Sequence, residues 1–256
     1  MISRATIALA VFATLAACTS PQQQRMNRES RAAERFLERQ GSVGDPGRVA
    51  AADFAFAKMA REEGQWTAFR EYAADDAVIH GQNGLIPAQP WLASMEDPEE
   101  AVAWAPNAVW SSCDGTLAAT FGRFIEPEGM VGSYVSIWEL QRDNSYRYTY
   151  DLGAPDDPQP APRPEEDIPE GAIVVPGLAS IEGRVADCAQ AVPLSPDVTV
   201  PAGTASDTTR SADGTLEWTW LHGADGTRTV VVNWLRDGDW QEAVRLVAPA
   251  GSQVGE

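Results

Sequence analysis

Histidine, cysteine and lysine are scarce in this chain, and each scarcity removes a class of chemistry. The two histidines, His80 and His222, are far apart, and the three cysteines, Cys18, Cys113 and Cys188, include no Cys-x-x-Cys pair. Neither metal-ligand spacing nor a cysteine–histidine cluster results, so no metal site is expected. No nucleophile elbow, glycine-rich phosphate loop or Ser-His-Asp arrangement can be read, and no cofactor is expected. Lys58 is the single lysine among 19 basic residues, which face 37 acidic ones for a formal net charge of −18. So acidic a surface argues against nucleic acid and anionic headgroups as partners, and suits solubility.

Long apolar runs are also missing. Ala5 to Ala17 carries no charge, but it is too short to span a bilayer stably. With Arg4 before it and small residues at 16 and 17, it reads as a signal peptide over residues 1–17. Leu15-Ala16-Ala17-Cys18 resembles a bacterial lipobox. That resemblance implies cleavage before Cys18, lipid on its thiol and acylation of the new amino terminus, giving durable membrane anchoring. Thr19, where an aspartate would favour inner-membrane retention, points to the outer membrane and a domain facing the periplasm. Cys113 and Cys188 then remain, to form either one disulfide or two buried thiols in an exported chain.

Residues 18–45 read as a polar tether and a marginal helix, in which Ala33, Phe36 and Leu37 give only a narrow apolar edge. Val49, Ala52, Phe56 and Met59 fall at helical spacing over 46–61. Trp66, Phe69 and Ala73 repeat that spacing after a break at Gly64. Asp75 and Asp76 should stop this second helix, followed by a short strand at 77–80, a turn at 81–84 and a short helix at 90–95. Strand signals then run over 102–112 (broken by Pro106), 116–124, 131–141 and 145–152. Tyr134, Ser136, Trp138 and Leu140 share one face of their strand, and Tyr146, Tyr148 and Tyr150 one face of the next. Six prolines and six acidic residues make 154–170 an extended linker. A β module follows over 171–249, before a tail at 250–256. Within the module, 173–175 and 179–185 are moderate strands, and 216–222, 228–235 and 240–247 form a three-stranded meander. Its hairpin turns are Asp225-Gly226 and Asp237-Gly238. Ser112-Cys-Asp-Gly-Thr-Leu117 is echoed by Ser211-Ala-Asp-Gly-Thr-Leu216, each leading towards a strand with a central tryptophan, Trp138 or Trp234. The echo fits a partial duplication or simply a good turn-to-strand entry.

The order of elements over 46–153 resembles the SnoaL-like branch of the nuclear transport factor 2-like superfamily. The residues carrying the likeness are Ala-Asp-Phe-Ala-Phe-Ala at 52–57, Ala-Asp-Asp-Ala-Val at 74–78, Gly122-Arg123-Phe124, Tyr134-Val-Ser-Ile-Trp138 and Tyr-Asp-Leu-Gly at 150–153. The resemblance implies an α+β fold, with a cone-shaped curved antiparallel sheet packed on the N-terminal helices and a small all-β C-terminal module after it. It also implies an apolar pocket and sheet-to-sheet homodimers. Since the fold hosts isomerases, hydrolases, cyclases and mere binders, it leaves the activity open.

Proton abstraction in such a pocket needs a dry carboxylate and a donor for the developing oxyanion. Asp151, with His80 and Tyr134, is the candidate catalytic set, and Asp76 stands behind them. Asp151 shares its strand face with Arg147 and Thr149, so it also reads as a salt-bridged surface aspartate. His80 also reads as a structural histidine, and His222, among charge-rich turns, is expected to be exposed. Trp66, Phe69, Tyr72, Trp91, Trp104 and Trp138, with Trp110 beside them, are candidate cavity walls, one or two of which would touch an apolar ligand. The expectation is a lipid-anchored envelope domain that binds an apolar small molecule or a protein. A lyase or isomerase working by acid–base chemistry is the alternative.

Overall fold

A capped start fixes the first helix. Asp45 accepts hydrogen bonds from the backbone of Gly47 and Arg48, and Pro46 occupies the first turn, where no amide hydrogen is needed. The computed structural model describes residues 43–161, 180–189, 191–196 and 198–251. The expected signal peptide, Cys18, the expected marginal helix, the later part of the Pro-rich segment, the strand expected at 173–175 and most of the tail lie outside the described residues. Helix α1 (Pro46–Glu63) ends at Gly64, whose φ of 122° turns the chain directly into α2 (Gln65–Tyr72). A short α3 (Ala88–Leu92) completes the described helices. None of them is long and apolar enough to cross a membrane.

Strands β1 (Ala73–Gly81), β2 (Gly84–Pro87), β3 (Ala103–Ser111), β4 (Leu117–Ile125), β5 (Val131–Leu140), β6 (Tyr146–Pro155) and β7 (Glu182–Val185) form one sheet, in the order β2-β1-β6-β5-β4-β3-β7. A second, antiparallel sheet holds β8 (Ala205–Arg210), β9 (Leu216–His222), β10 (Arg228–Arg236) and β11 (Asp239–Ala248), in the order β11-β10-β9-β8. The fold class is therefore α+β. The larger sheet is mixed rather than antiparallel, because β1 runs parallel to β6, and β7 parallel to β3. Parallel neighbours need a long crossover, supplied between β1 and β6 by α3 with four intervening strands, and between β3 and β7 by β4 to β6 and the segment after them. The described residues make one compact unit, and β7 belongs to the first sheet rather than to the C-terminal module. A disulfide between Cys113 and Cys188 holds β7 beside the β3–β4 turn.

Several expected boundaries moved for identifiable reasons. Asp75 and Asp76 do not stop α2. They lie exposed inside β1, where its pairing with β6 shifts register between Ala73 and Val78. Pro106 does not break β3; the strand absorbs the irregularity as a bulge between Pro106 and Ala108. Ala154 and Pro155 extend β6, with Pro155 paired to Gly132 of β5 alone. Strand β2 replaces the end of an expected turn, and β8, all six residues of which are exposed, adds a fourth strand to the meander.

Two cores result. On the helix side, Val49, Phe56, Trp66 and Ala68 pack with Val109, Ala118, Trp138 and Tyr148. Between the two sheets, Trp110, Val135, Ile137, Tyr150 and Leu152 meet Leu216, Trp218, Val230, Val232 and Trp234. The three tyrosines of β6 do not share a face. Ile137 pairs with Tyr150 but Trp138 pairs with Tyr148, so Thr149 is an extra residue and the alternation inverts there. Tyr146 and Tyr148 consequently look to the helices and Tyr150 to the second sheet, while Asp151 is carried to the helix side.

The echoed turns meet face to face. The Asp114 amide donates to Asp213 Oδ2 at 2.8 Å, and the Asp213 amide returns the bond to Asp114 Oδ2 at 3.1 Å. Thr215 Oγ1 accepts from the Cys113 amide, and Thr116 Oγ1 from the Ala212 amide. Gly115 and Gly214 adopt matching φ values of 72° and 75°. Leu140 and Leu235 donate their amides to the carbonyls of Thr116 and Thr215, and a bulge follows Ile137 in one meander and Val232 in the other. The second sheet thus repeats the β3–β6 meander across a local two-fold. Trp138 and Trp234 are not equivalent within it: by the bulges Trp138 matches Asn233, and Trp234 faces the first sheet.

Candidate functional site

A cavity of about 350 Å³ opens between the helices and the β5–β6 face of the first sheet. Four of the expected wall residues, Trp66, Phe69, Trp91 and Trp104, line it together with Phe56 and Phe124. Trp66 stacks edge-on against Phe69 and Trp91, and Phe56 against Phe69 and Trp104, so the wall is a connected aromatic lattice. Tyr72, Trp138 and Trp110 are not part of the lining. Trp138 is wholly buried, with its Nε1 donating to Thr120 Oγ1 at 3.1 Å, and Trp110 belongs to the core between the sheets.

Asp151, His80 and Tyr134 all face this one cavity. The extra residue in β6 is what brings Asp151 there, away from Arg147, which reaches the carbonyl of Glu71 instead. Ser136, the cross-strand neighbour of Asp151, donates its hydroxyl to Asp151 Oδ1 at 2.5 Å. Burial raises the Asp151 carboxyl from 3.8 to about 7, with the Ser136 bond opposing and the charge of Asp53 assisting.

Asp53 went unnoticed in the sequence, though it carries a signal. It occupies a core position on the α1 stripe that includes Val49, Phe56 and Ala60, and a carboxyl there must be satisfied internally. Trp104 Nε1 donates to one oxygen and the Tyr134 hydroxyl to the other, each at 2.9 Å. Burial raises this group to about 6 against the hydrogen bonds from Thr120, Trp104 and Tyr134. Burial, with the charge of Asp53, also drives the Tyr134 hydroxyl well above its ordinary range. Tyr134 stays protonated, with its proton directed at Asp53.

His80 is buried, and both of its ring nitrogens are engaged. Nδ1 lies 2.7 Å from the Tyr150 hydroxyl and Nε2 lies 3.1 Å from His222 Nδ1. His222 is therefore half-buried and hydrogen-bonded rather than exposed, because β9 lays it against β1 where the sheets meet. Burial first, then the charges of His222 and Arg228, lower His80 to about 3, so the ring is neutral. Arg228, a second residue missed in the sequence, also lines the cavity and donates Nη1 to the carbonyl of His80. The neutral, doubly bonded imidazole holds no proton for a ligand. Asp76 lies exposed on β1 and is not part of the lining.

Among the described residues, no group of three or more histidine, cysteine, aspartate or glutamate side chains is placed to hold a metal ion. No known protein-family profile matches the chain, and none of the curated proteins matches it. Among solved structures, the chain is similar to a protein of unknown function with a cystatin-like fold from Methylobium petroleophilum PM1. The two are 12% identical over 54% of this chain and 99% of the other, with a TM-score of 0.33.

Proposed function

We propose that this chain is a lipid-anchored protein of the bacterial cell envelope, whose SnoaL-like cone holds an apolar small molecule in the cavity between its helices and its sheet. The observation that carries the reading is the aromatic cavity itself. Its volume falls within the range of small-molecule sites, and apolar walls with few convergent polar groups are what such ligands need. Binding is favoured over catalysis because the two donors that could steady an oxyanion are spent, Tyr134 on Asp53 and His80 on Tyr150 and His222. The lyase or isomerase reading keeps one observation in its favour, the Asp151 carboxyl raised to about 7, where a general base works well. A sheet-to-sheet homodimer would have to use another face, since the second sheet of the same chain covers that side of the first.

Native mass spectrometry of the protein purified from its own envelope tests both parts of this reading. The expected species begins at an acylated Cys18 and releases a small molecule at low collision energy. A bare chain with an unmodified cysteine and no released mass contradicts it.

A further inference from the structure

We propose that the ligand is a hydrophobic amine, its apolar body held among the aromatic rings and its cationic nitrogen set against Asp151. The inference rests on the binding function proposed above and concerns which chemistry that site selects. It comes from where the protons at the polar end of the cavity point. The Ser136 hydroxyl donates to Asp151 Oδ1, the Tyr134 hydroxyl to Asp53 Oδ2, and the Trp104 indole to Asp53 Oδ1. Every one of these donors is directed at a carboxylate of the protein. What they leave towards a ligand is lone pairs: the second oxygen of Asp151, Ser136 Oγ and Tyr134 Oη. Against the ionised form of Asp151, a neutral carbonyl or an anionic group meets only acceptors from these three side chains, whereas an ammonium or other N–H donor is satisfied by each of them.

Charge points the same way. Asp53 lies behind Tyr134 and Trp104 with three side-chain donors, which favours its ionised form, and Asp151 stands in front of it. The mutual repulsion of the two carboxyls contributes to the raised Asp151 carboxyl. A cation bound at Asp151 relieves that repulsion. The rings of Trp66, Phe69 and Trp104 line the same cavity and supply aromatic surface of the kind a cation associates with. Arg228, the cationic lining residue, is directed through Nη1 to the carbonyl of His80 on β1. It is the group an anionic ligand would need, so a charge series separates the two.

Three isosteric probes, 1-naphthylmethylammonium, neutral 1-naphthalenemethanol and 1-naphthoate, are titrated into the full mature chain at pH 7.5, following quenching of the cavity tryptophans. The ammonium is expected to bind about tenfold tighter than the alcohol, and the naphthoate weakest, as one desolvated ion pair implies. In Asp151→Asn, with near-UV circular dichroism unchanged, the ammonium is expected to fall to within about twofold of the alcohol. Ser136→Ala, which keeps the carboxylate, should retain the preference and guards against a folding artefact in the first variant. Equal affinity for alcohol and ammonium, or tightest binding of naphthoate, overturns the amine assignment while leaving the binding function standing. Failure of all three probes overturns the binding function and the assignment with it.

Discussion

Replacing Asp151 by asparagine is expected to stabilise the protein by about 2 kcal/mol at pH 8 and to leave it unchanged near pH 3. The sign follows from the direction of the shift. The carboxyl titrates near its ordinary 3.8 in the unfolded chain and at about 7 in the folded one. Below about pH 3 both states hold the proton and nothing is lost. As pH rises towards 7 the unfolded chain ionises while the folded protein resists, so stability falls and stays low above pH 7. The full shift would correspond to about 4 kcal/mol at 1.4 kcal/mol per unit, and water in the open cavity, onto which Asp151 looks, reduces that to about half. Asparagine keeps the shape and still accepts from Ser136, so the variant removes the penalty without opening a hole. His80 opposes this trend in the wild type: lowered to about 3, it gives stability that is complete above about pH 6.5 and lost as pH falls. Urea unfolding of both proteins at pH 8 and pH 3 separates the effects. An equal gap at the two pH values would show that Asp151 is not buried against its charge.

Removing the disulfide by Cys113→Ser together with Cys188→Ser is expected to cost about 4 kcal/mol, the chain-entropy value for the loop it closes. The bridged cysteines are 75 residues apart in sequence. The bridge matters beyond loop closure because of its neighbours. The carbonyl of Cys113 accepts from the Gly44 amide, and its amide donates to Thr215, within the paired turns that join the two meanders. β7 has only four residues and pairs with β3 alone, so the bridge carries much of its hold on the sheet. Against a total of roughly 5–15 kcal/mol for a domain, the loss should move the urea midpoint by a large fraction of its value. A midpoint within a few tenths of a molar of the wild type would mean that the paired turns suffice.

Much of the fold was legible because its signals are local. The Asp45-Pro46 start and the Gly64 break mark α1 within the sequence itself, and β9 to β11 are bounded by Asp-Gly turns that the structure keeps within one residue. What was missed lacks such signals. β8 is polar on both faces and exists through its pairing with β9, and β7, expected as a strand within 179–185, joins the first sheet rather than the C-terminal module through a pairing with β3 that is distant in sequence. Aspartates at 75 and 76 look like helix stops but are tolerated in an irregular stretch of β1 with its side chains in water.

The site was half legible for the same reason. Tyr134 and Ser136 were assignable to one face, because β5 alternates without interruption. Asp151 was read on the face of Arg147, since a period of two knows nothing of the extra residue at Thr149. That one bulge decides whether the aspartate faces the second sheet or the cavity. Asp53 shows the converse case, a legible signal passed over, since an acid on an apolar helix stripe demands internal partners and has them in Trp104, Tyr134 and Thr120.

Whether the space between helices and sheet is a ligand site can be read from intermolecular nuclear Overhauser effects between bound 1-naphthalenemethanol and the indole protons of the protein. Cross-peaks are expected to Trp66, Trp91 and Trp104, which line the cavity, and none to Trp218 or Trp240 of the second sheet. Cross-peaks confined to the second sheet, or a probe that contacts no indole at all, would contradict a ligand site there.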